Sequence, residues 1–379
     1  MKGKQGMVCM GLLLVLSSCS CHTGKQITAS GLQRKDFQTE VNGQHTDLFT
    51  LSNKQGMEVC ITNYGARVVS ILVPDRNGKR EDVVCGFSTI TEYMEQRQNF
   101  GSTVGRYIGR ILNARFTLDG VEYKLVPNNG KSGHISHGGN PGFADRIWKV
   151  EQADTHRVRL SYLSPDGENG FPGNLKVTLV YSLGEDDNAL DLTYEATTDA
   201  PTVLNLSHHS FFNISGNFTK SVEDQQLWVD ADRFTPYDDK KCVTGEYLQV
   251  AGTPLDFRMP HAIGECIDAD HPQLKVVNGY DHTWELNTKG DDTRPAAWVY
   301  DPASGRKMEI FTTEPGMQIY TGNGLKGKMT GKRGIAYPFR SAVCFETMHF
   351  QDSPNQPGFP STVLRPGEVF RSHTVYKFE

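Results

Sequence analysis

The sequence has no basic excess: 39 Lys and Arg stand against 44 Asp and Glu, a net charge of −5. Nucleic-acid binding leaves a footprint of clustered positive charge, so no nucleic-acid partner is expected. Beyond the first sixteen residues no apolar run approaches the ~20 residues that cross a bilayer. The cysteines form no framework. Three of the eight (Cys9, Cys19, Cys21) fall near the N-terminus, and Cys60, Cys85, Cys242, Cys266 and Cys344 are scattered without a C-x-x-C pair. That is neither a disulfide scaffold nor a zinc site. Cys60 and Cys344 sit in apolar runs, where a small buried hydrophobe is expected. Helical periodicity is scarce, with residues 91–97 the one candidate of about two turns. No repeat and no Pro/Ser-rich linker divides the body. One domain over residues 36–379 is the simplest organisation.

What is present reads as strands. Hydrophobic residues make up 37% of the chain, enough for a core, and 38 glycines with 18 prolines favour many turns. Leu175, Val177, Leu179 and Tyr181 alternate onto one face, as do Leu190, Leu192 and Tyr194, with turn residues 184–188 between them. That predicts a hairpin. Similar runs at 57–62, 67–73, 158–163, 297–300, 308–312 and 342–347 predict an all-β protein, a large β-sandwich.

The N-terminus reads as an address. Lys2 and Lys4 precede an apolar run from Met7 to Leu16, the pattern of a secretory signal. Leu16-Ser17-Ser18-Cys19 resembles the bacterial lipobox, which implies a signal peptide over residues 1–18, lipidation of Cys19 and a polar tether over 19–35. Acyl chains would then be the only membrane contact. With Ser20 after the lipidated Cys and a Gram-negative source, the expected location is the periplasmic side of the outer membrane.

Several segments carry chemistry. In residues 205–213 (NLSHHSFFN), His208 and His209 are adjacent, so on a strand they face opposite ways and at most one enters a given cleft. A histidine among polar and aromatic neighbours suits a general acid, though taken alone it is more often a hydrogen-bonded structural group. Glu346 lies in an otherwise apolar strand, where an ionised carboxylate is costly without a partner. It is paired, solvent-facing, or a site base whose pKa burial has raised. His134 and His137 form an H-x-x-H without a third ligand nearby, so no metal is expected. Residues 322–329 approach a P-loop but end in Met329 where Mg²⁺ binding needs Ser or Thr. Asp281, flanked by Tyr280 and Trp284, offers the carboxylate and apolar plates that a sugar needs, or else an Asx-turn. Residues 105–111 offer Arg106 and Arg110 as donors to a ligand or as structural ion pairs.

Taken in order, 104–111 (VGRYIGRI), 136–139 (SHGG), 164–173 (SPDGENGFPG), 205–213, 279–282 (GYDH), 315–323 (PGMQIYTGN) and 345–347 (FET) resemble the aldose 1-epimerase (galactose mutarotase) family. The resemblance runs from about residue 36 to the C-terminus. It implies a β-supersandwich and a cofactor-free interconversion of the α and β anomers of free aldoses such as galactose and glucose. In that family a Glu takes the proton of the C1 hydroxyl while a His protonates the ring oxygen. By motif position the base is Glu346 and the acid His209, with Arg110, Gly109, His137, Ser210, Phe211, Asp281 and Gln318 around the sugar. A mixed His/Glu pair would hold one group protonated and the other ionised near neutral pH. The expected partner is a free monosaccharide, bound by a monomer.

The sequence departs from the family at Gly109, where Asn is usual; one polar contact is lost or supplied elsewhere. His208 stands for the usual Asn and Phe211 for the common Tyr. A lipid-anchored sugar-binding protein without catalysis is the competing expectation. Glycoside hydrolysis by paired carboxylates fits poorly, because the matched acid is a His.

Overall fold

The computed structural model describes residues 26–379. The signal segment and Cys19 lie outside the described residues. The domain begins earlier than residue 36: Thr28, Ser30 and Leu32 are buried, and the backbone N–H groups of Ala29 and Ser30 donate to the Glu58 carboxylate. The end of the expected tether is therefore packed on the body.

Two large antiparallel sheets enclose the core. One has nine strands in the order Lys149–Ala153, Arg157–Ser164, Leu175–Leu183, Ala189–Thr198, Phe370–Phe378, Lys307–Thr312, Ala297–Tyr300, Gln226–Val229 and His261–Ala262. The other has six: Phe211–Phe212, Val343–Met348, Gly316–Tyr320, Asp281–Glu285, Arg233–Thr235 and Leu248–Gln249. Leu175, Val177, Leu179, Leu190 and Leu192 of the first sheet share one cluster with Trp284, Met317, Ile319, Val343 and Phe345 of the second. A four-stranded sheet (Leu48–Ser52, Glu58–Thr62, Arg67–Pro74, Arg80–Asp82) adds Val59, Ile61 and Val68 to it. The all-β supersandwich is therefore the architecture. The last strand, Phe370–Phe378, lies between Ala189–Thr198 and Lys307–Thr312, so distant parts of the chain share one sheet.

The expected hairpin is present, with Leu183 opposite Leu190 and the alternation buried as read. The helix lies at Ile90–Gln96, one residue earlier than expected, because Thr89 and Glu92 form a capping box that starts it there. A second helix, Pro272–Val277, gave no periodic signal at six residues; Pro272 opens it and Asn278 closes it in the left-handed region.

Gly101 joins the four-stranded sheet to the strand Ser207–His209. Its carbonyl accepts from Val68 N–H at 2.9 Å, and its N–H donates to the His209 carbonyl at 3.0 Å. It sits at φ +66°, and a Cβ there would lie 1.8 Å from the Val68 carbonyl oxygen. Gly101→Ala is expected to destabilise the protein by about 3 kcal/mol or more. A urea midpoint equal to that of the unmodified protein would contradict this.

Candidate functional site

The site forms where two β ladders meet. Ser207–His209 pairs with Ser102–Val104, and the chain then enters the six-stranded sheet, where Phe211 sits opposite Cys344. Extending that antiparallel register by two residues sets His209 against Glu346. On the other side of Glu346 the next strand presents Gln318, and beyond Gln318 lies Thr283. The alternation that sends Val343 and Phe345 into the core sends Glu346 to the opposite face. Two cross-strand rows thus wall the site, Thr283–Gln318–Glu346 and Asp281–Tyr320–Cys344.

Over this wall lies a cavity of about 250 Å³, bordered by Glu346, His209, Phe211, Asp281, Gln318, Tyr320, Met348 and Gln351, with Arg110, Gly109, His137, Ser136, Gln98 and Asn99 closing its other sides. His209 Nε2 approaches Glu346 Oε1 at 3.5 Å. The His209 ring stacks on Phe211 with centroids 5.1 Å apart and meets His137 edge-on at 5.5 Å. Gln318 Nε2 donates to Asp281 Oδ1 at 2.6 Å, and Thr283 Oγ1 donates to Gln318 Oε1. The Gly109 N–H donates to His137 Nδ1 at 3.4 Å, which assigns the ring proton of neutral His137 to Nε2. His137 adopts φ +52°, and Gly138 and Gly139 continue in the left-handed region, so the loop turns sharply beneath the ring.

Burial governs the charge states. It raises the Glu346 carboxyl well above its usual range; the nearby Asp281 pushes the same way, and Arg110 opposes both. Burial also holds His209 well below its usual value, with His137 adding to the effect. His137 is lowered to about 4 by burial and by Arg110. Asp281 is raised by burial against the pull of Arg110 and Gln318. Burial thus works against both charges of the pair, favouring a protonated Glu346 beside a neutral His209 over the ion pair. Both charges are disfavoured because the same wall desolvates both groups.

Of the residues singled out in the sequence, Glu346, His209, Arg110, Gly109, His137, Phe211, Asp281 and Gln318 all border the cavity. Ser210 does not. Strand alternation sends it to the far side, where its Oγ meets His208 Nε2 at 2.6 Å. His208 shares that side, 3.4 Å from the Tyr181 hydroxyl, and burial lowers it to about 3. It is a neutral structural histidine. Arg106 is turned into the body, donating to the carbonyls of Ser164, Pro165, Pro172 and Gly173. His134 leaves the cavity too, with Nε2 3.3 Å from Cys242 Sγ. Residues 322–329 make a turn in which Asn323 donates to the carbonyls of Val277 and Tyr280.

Sequence reasoning missed Tyr320, Tyr237, Asn99 and Gln351. An aromatic or amide in a loop carries no local signal, although Tyr320 alternates with Gln318 on the same strand. His209, Glu346 and Cys344 also offer ligand atoms within 4.8 Å of one another, the one such group of three among the described residues. The H-x-x-H pair has no part in it.

Comparison with known proteins agrees with this geometry. The family model described as aldose 1-epimerase matches residues 47–377. A galactose mutarotase from Bos taurus is 40% identical over 331 residues, 87% of this chain and 93% of that one. An aldose 1-epimerase from Escherichia coli K12 is 36% identical over 340 residues, 89% of this chain and 96% of that one. Among solved structures, an aldose epimerase homologue from C. elegans superimposes with a TM-score of 0.81 at 31% identity, covering 88% of this chain and 99% of its own. With this much of the chain matched, and most of the motifs bordering one cavity, the protein belongs to the aldose 1-epimerase family.

Proposed function

We propose that the protein interconverts the α and β anomers of free aldoses, with Glu346 as the base and His209 as the acid. The observation that carries this reading is the 3.5 Å approach of the two groups across the floor of a small polar cavity. Both are within reach of one small ligand, which the reaction needs because it only moves protons.

The working tautomer is the Glu346 carboxylate with the His209 imidazolium. Arg110, whose charge lowers Glu346, and the hydroxyls of a bound sugar both favour it over the resting form. Glu346 takes the proton from the C1 hydroxyl, and His209 gives its proton to the ring oxygen. The bond between C1 and that oxygen breaks, leaving the open-chain aldehyde. Rotation about C1–C2 turns the other face of the carbonyl to the C5 hydroxyl. On reclosure the C5 hydroxyl gives its proton to His209 while Glu346 returns its proton to O1, so the enzyme is unchanged and no atoms are gained or lost. Arg110, Asp281, Gln318 and His137 Nε2–H hold the hydroxyls away from C1, and Phe211 fixes the imidazole plane.

Polarimetry on freshly dissolved α-D-galactose and α-D-glucose tests the reading. Glu346→Gln and His209→Asn are each expected to lower kcat by on the order of 10²–10⁴ while the fold survives. Unchanged activity in both variants would rule out the assignment, and sugar binding by the unmodified protein without acceleration would favour a non-catalytic binder.

The pH profile follows from the single shared proton. Gaining a second proton, on His209, disables the acid limb; losing the shared one disables the alkaline limb. Asp281→Asn removes a negative charge that raises Glu346, so the carboxyl ionises more readily. The alkaline limb of kcat/KM is expected to move to lower pH. A shift to higher pH would show that another group controls that limb.

The lipobox-like pattern carries a separate proposal, that the enzyme acts in the cell envelope tethered at Cys19. Incorporation of an alkyne fatty acid that disappears in Cys19→Ser is the expected result. An unlabelled full-length protein, processed at another bond, would refute it.

A further inference from the structure

Gly109 borders the cavity without a side chain, and the space a side chain would take there is filled. The residue sits at φ +76°, and a Cβ built on it would lie 2.6 Å from Cγ of Gln351 and 3.1 Å from its Cδ. Real Cβ atoms do not come so close. Gln351 reaches this place from the loop after the Glu346 strand. It is buried and borders the same cavity.

Its amide is used in full. Oε1 accepts from the Arg110 backbone N–H at 3.3 Å, with Arg110 Nη1 at 3.5 Å. Nε2 donates to the Tyr237 hydroxyl at 2.6 Å and to Gln318 Oε1 at 3.3 Å. Gln318 Oε1 therefore faces two donors, Gln351 and Thr283, which obliges its Nε2 to turn toward Asp281. One side chain thus ties the guanidinium on one side of the cavity to the amide and carboxylate on the other.

We propose that Gln351, admitted by the missing side chain at 109, is the positioning residue that orients Arg110, Gln318 and Asp281 toward the sugar and so sets which aldose the site prefers. The inference rests on the epimerase reading. It concerns the hydroxyls away from C1: the polar partners of Gln351 are Arg110, Gln318 and Tyr237, with Asp281 reached through Gln318, and not His209 or Glu346. Its loss therefore weakens the grip on the sugar more than the proton transfers.

The test uses Gly109→Asn, Gln351→Ala, their combination, and Gln351→Met, which keeps the bulk without the amide. Asn suits the test at 109 because it tolerates positive φ better than most residues and carries an amide. kcat and KM are measured for α-D-galactose and α-D-glucose, sugar binding by calorimetry, and folding by thermal midpoint. Each single substitution is expected to raise KM about tenfold, with kcat within about threefold of the unmodified enzyme and a changed galactose-to-glucose ratio. The combination is expected to regain most of the loss, as the Asn amide enters the space that Gln351 leaves. Unchanged KM and sugar ratio in Gln351→Met, or a combined loss equal to the product of the single losses, would overturn the proposal. An unmodified protein inactive on both sugars would overturn the epimerase reading instead, and calorimetry on the same variants would still decide the role of Gln351.

Discussion

A carboxyl and an imidazole lie side by side out of water, and much of the surrounding structure answers to that constraint. An isolated buried charge costs several kcal/mol, so burial works against the charge on both Glu346 and His209. Their proximity keeps one proton available to both. That proximity comes from backbone pairing: Phe211 opposite Cys344 brings the imidazole two residues earlier alongside Glu346. A register slip of one residue would turn His208 to the cavity and His209 to the core.

Polar groups beside such a pair must themselves be satisfied, or they would compete for its proton. The wall does this through cross-strand bonds, Thr283 to Gln318 and Gln318 to Asp281. The loops are held by two buried guanidiniums that do not border the cavity. Arg67 donates to the carbonyls of Gln98, Phe100 and Ala144, fixing the segment that carries Asn99. Arg106 gathers carbonyls from residues 164–173. Multiple charge-assisted bonds to carbonyls make such burial tolerable. They also separate two arginines that look equivalent in sequence: Arg106 braces the body and Arg110 faces the cavity.

The strands were legible because a half-buried strand advertises itself by alternation, as Leu175 to Tyr181 and Leu190 to Tyr194 do. Alternation also separates His209 from His208, and it places Ser210 with His208 rather than with the sugar. Pro272–Val277 was not legible, since six residues hold too little periodicity. Tyr237 and Gln351 were not legible either. Each belongs to the site only because distant segments converge, and no local pattern marks a loop amide that will meet an arginine more than 240 positions away.

By itself the sequence determined the all-β class, because alternation is a local property, and it singled out Glu346, His209, Arg110, His137 and Asp281 by residue type; Gln318 and the role of each came from the ordered motifs that resemble the family. The tertiary structure decided which histidine meets the carboxyl, which arginine faces the cavity, how burial biases the charges of the pair and what occupies the space left by Gly109. Those outcomes depend on register, desolvation and close packing between parts of the chain far apart in sequence.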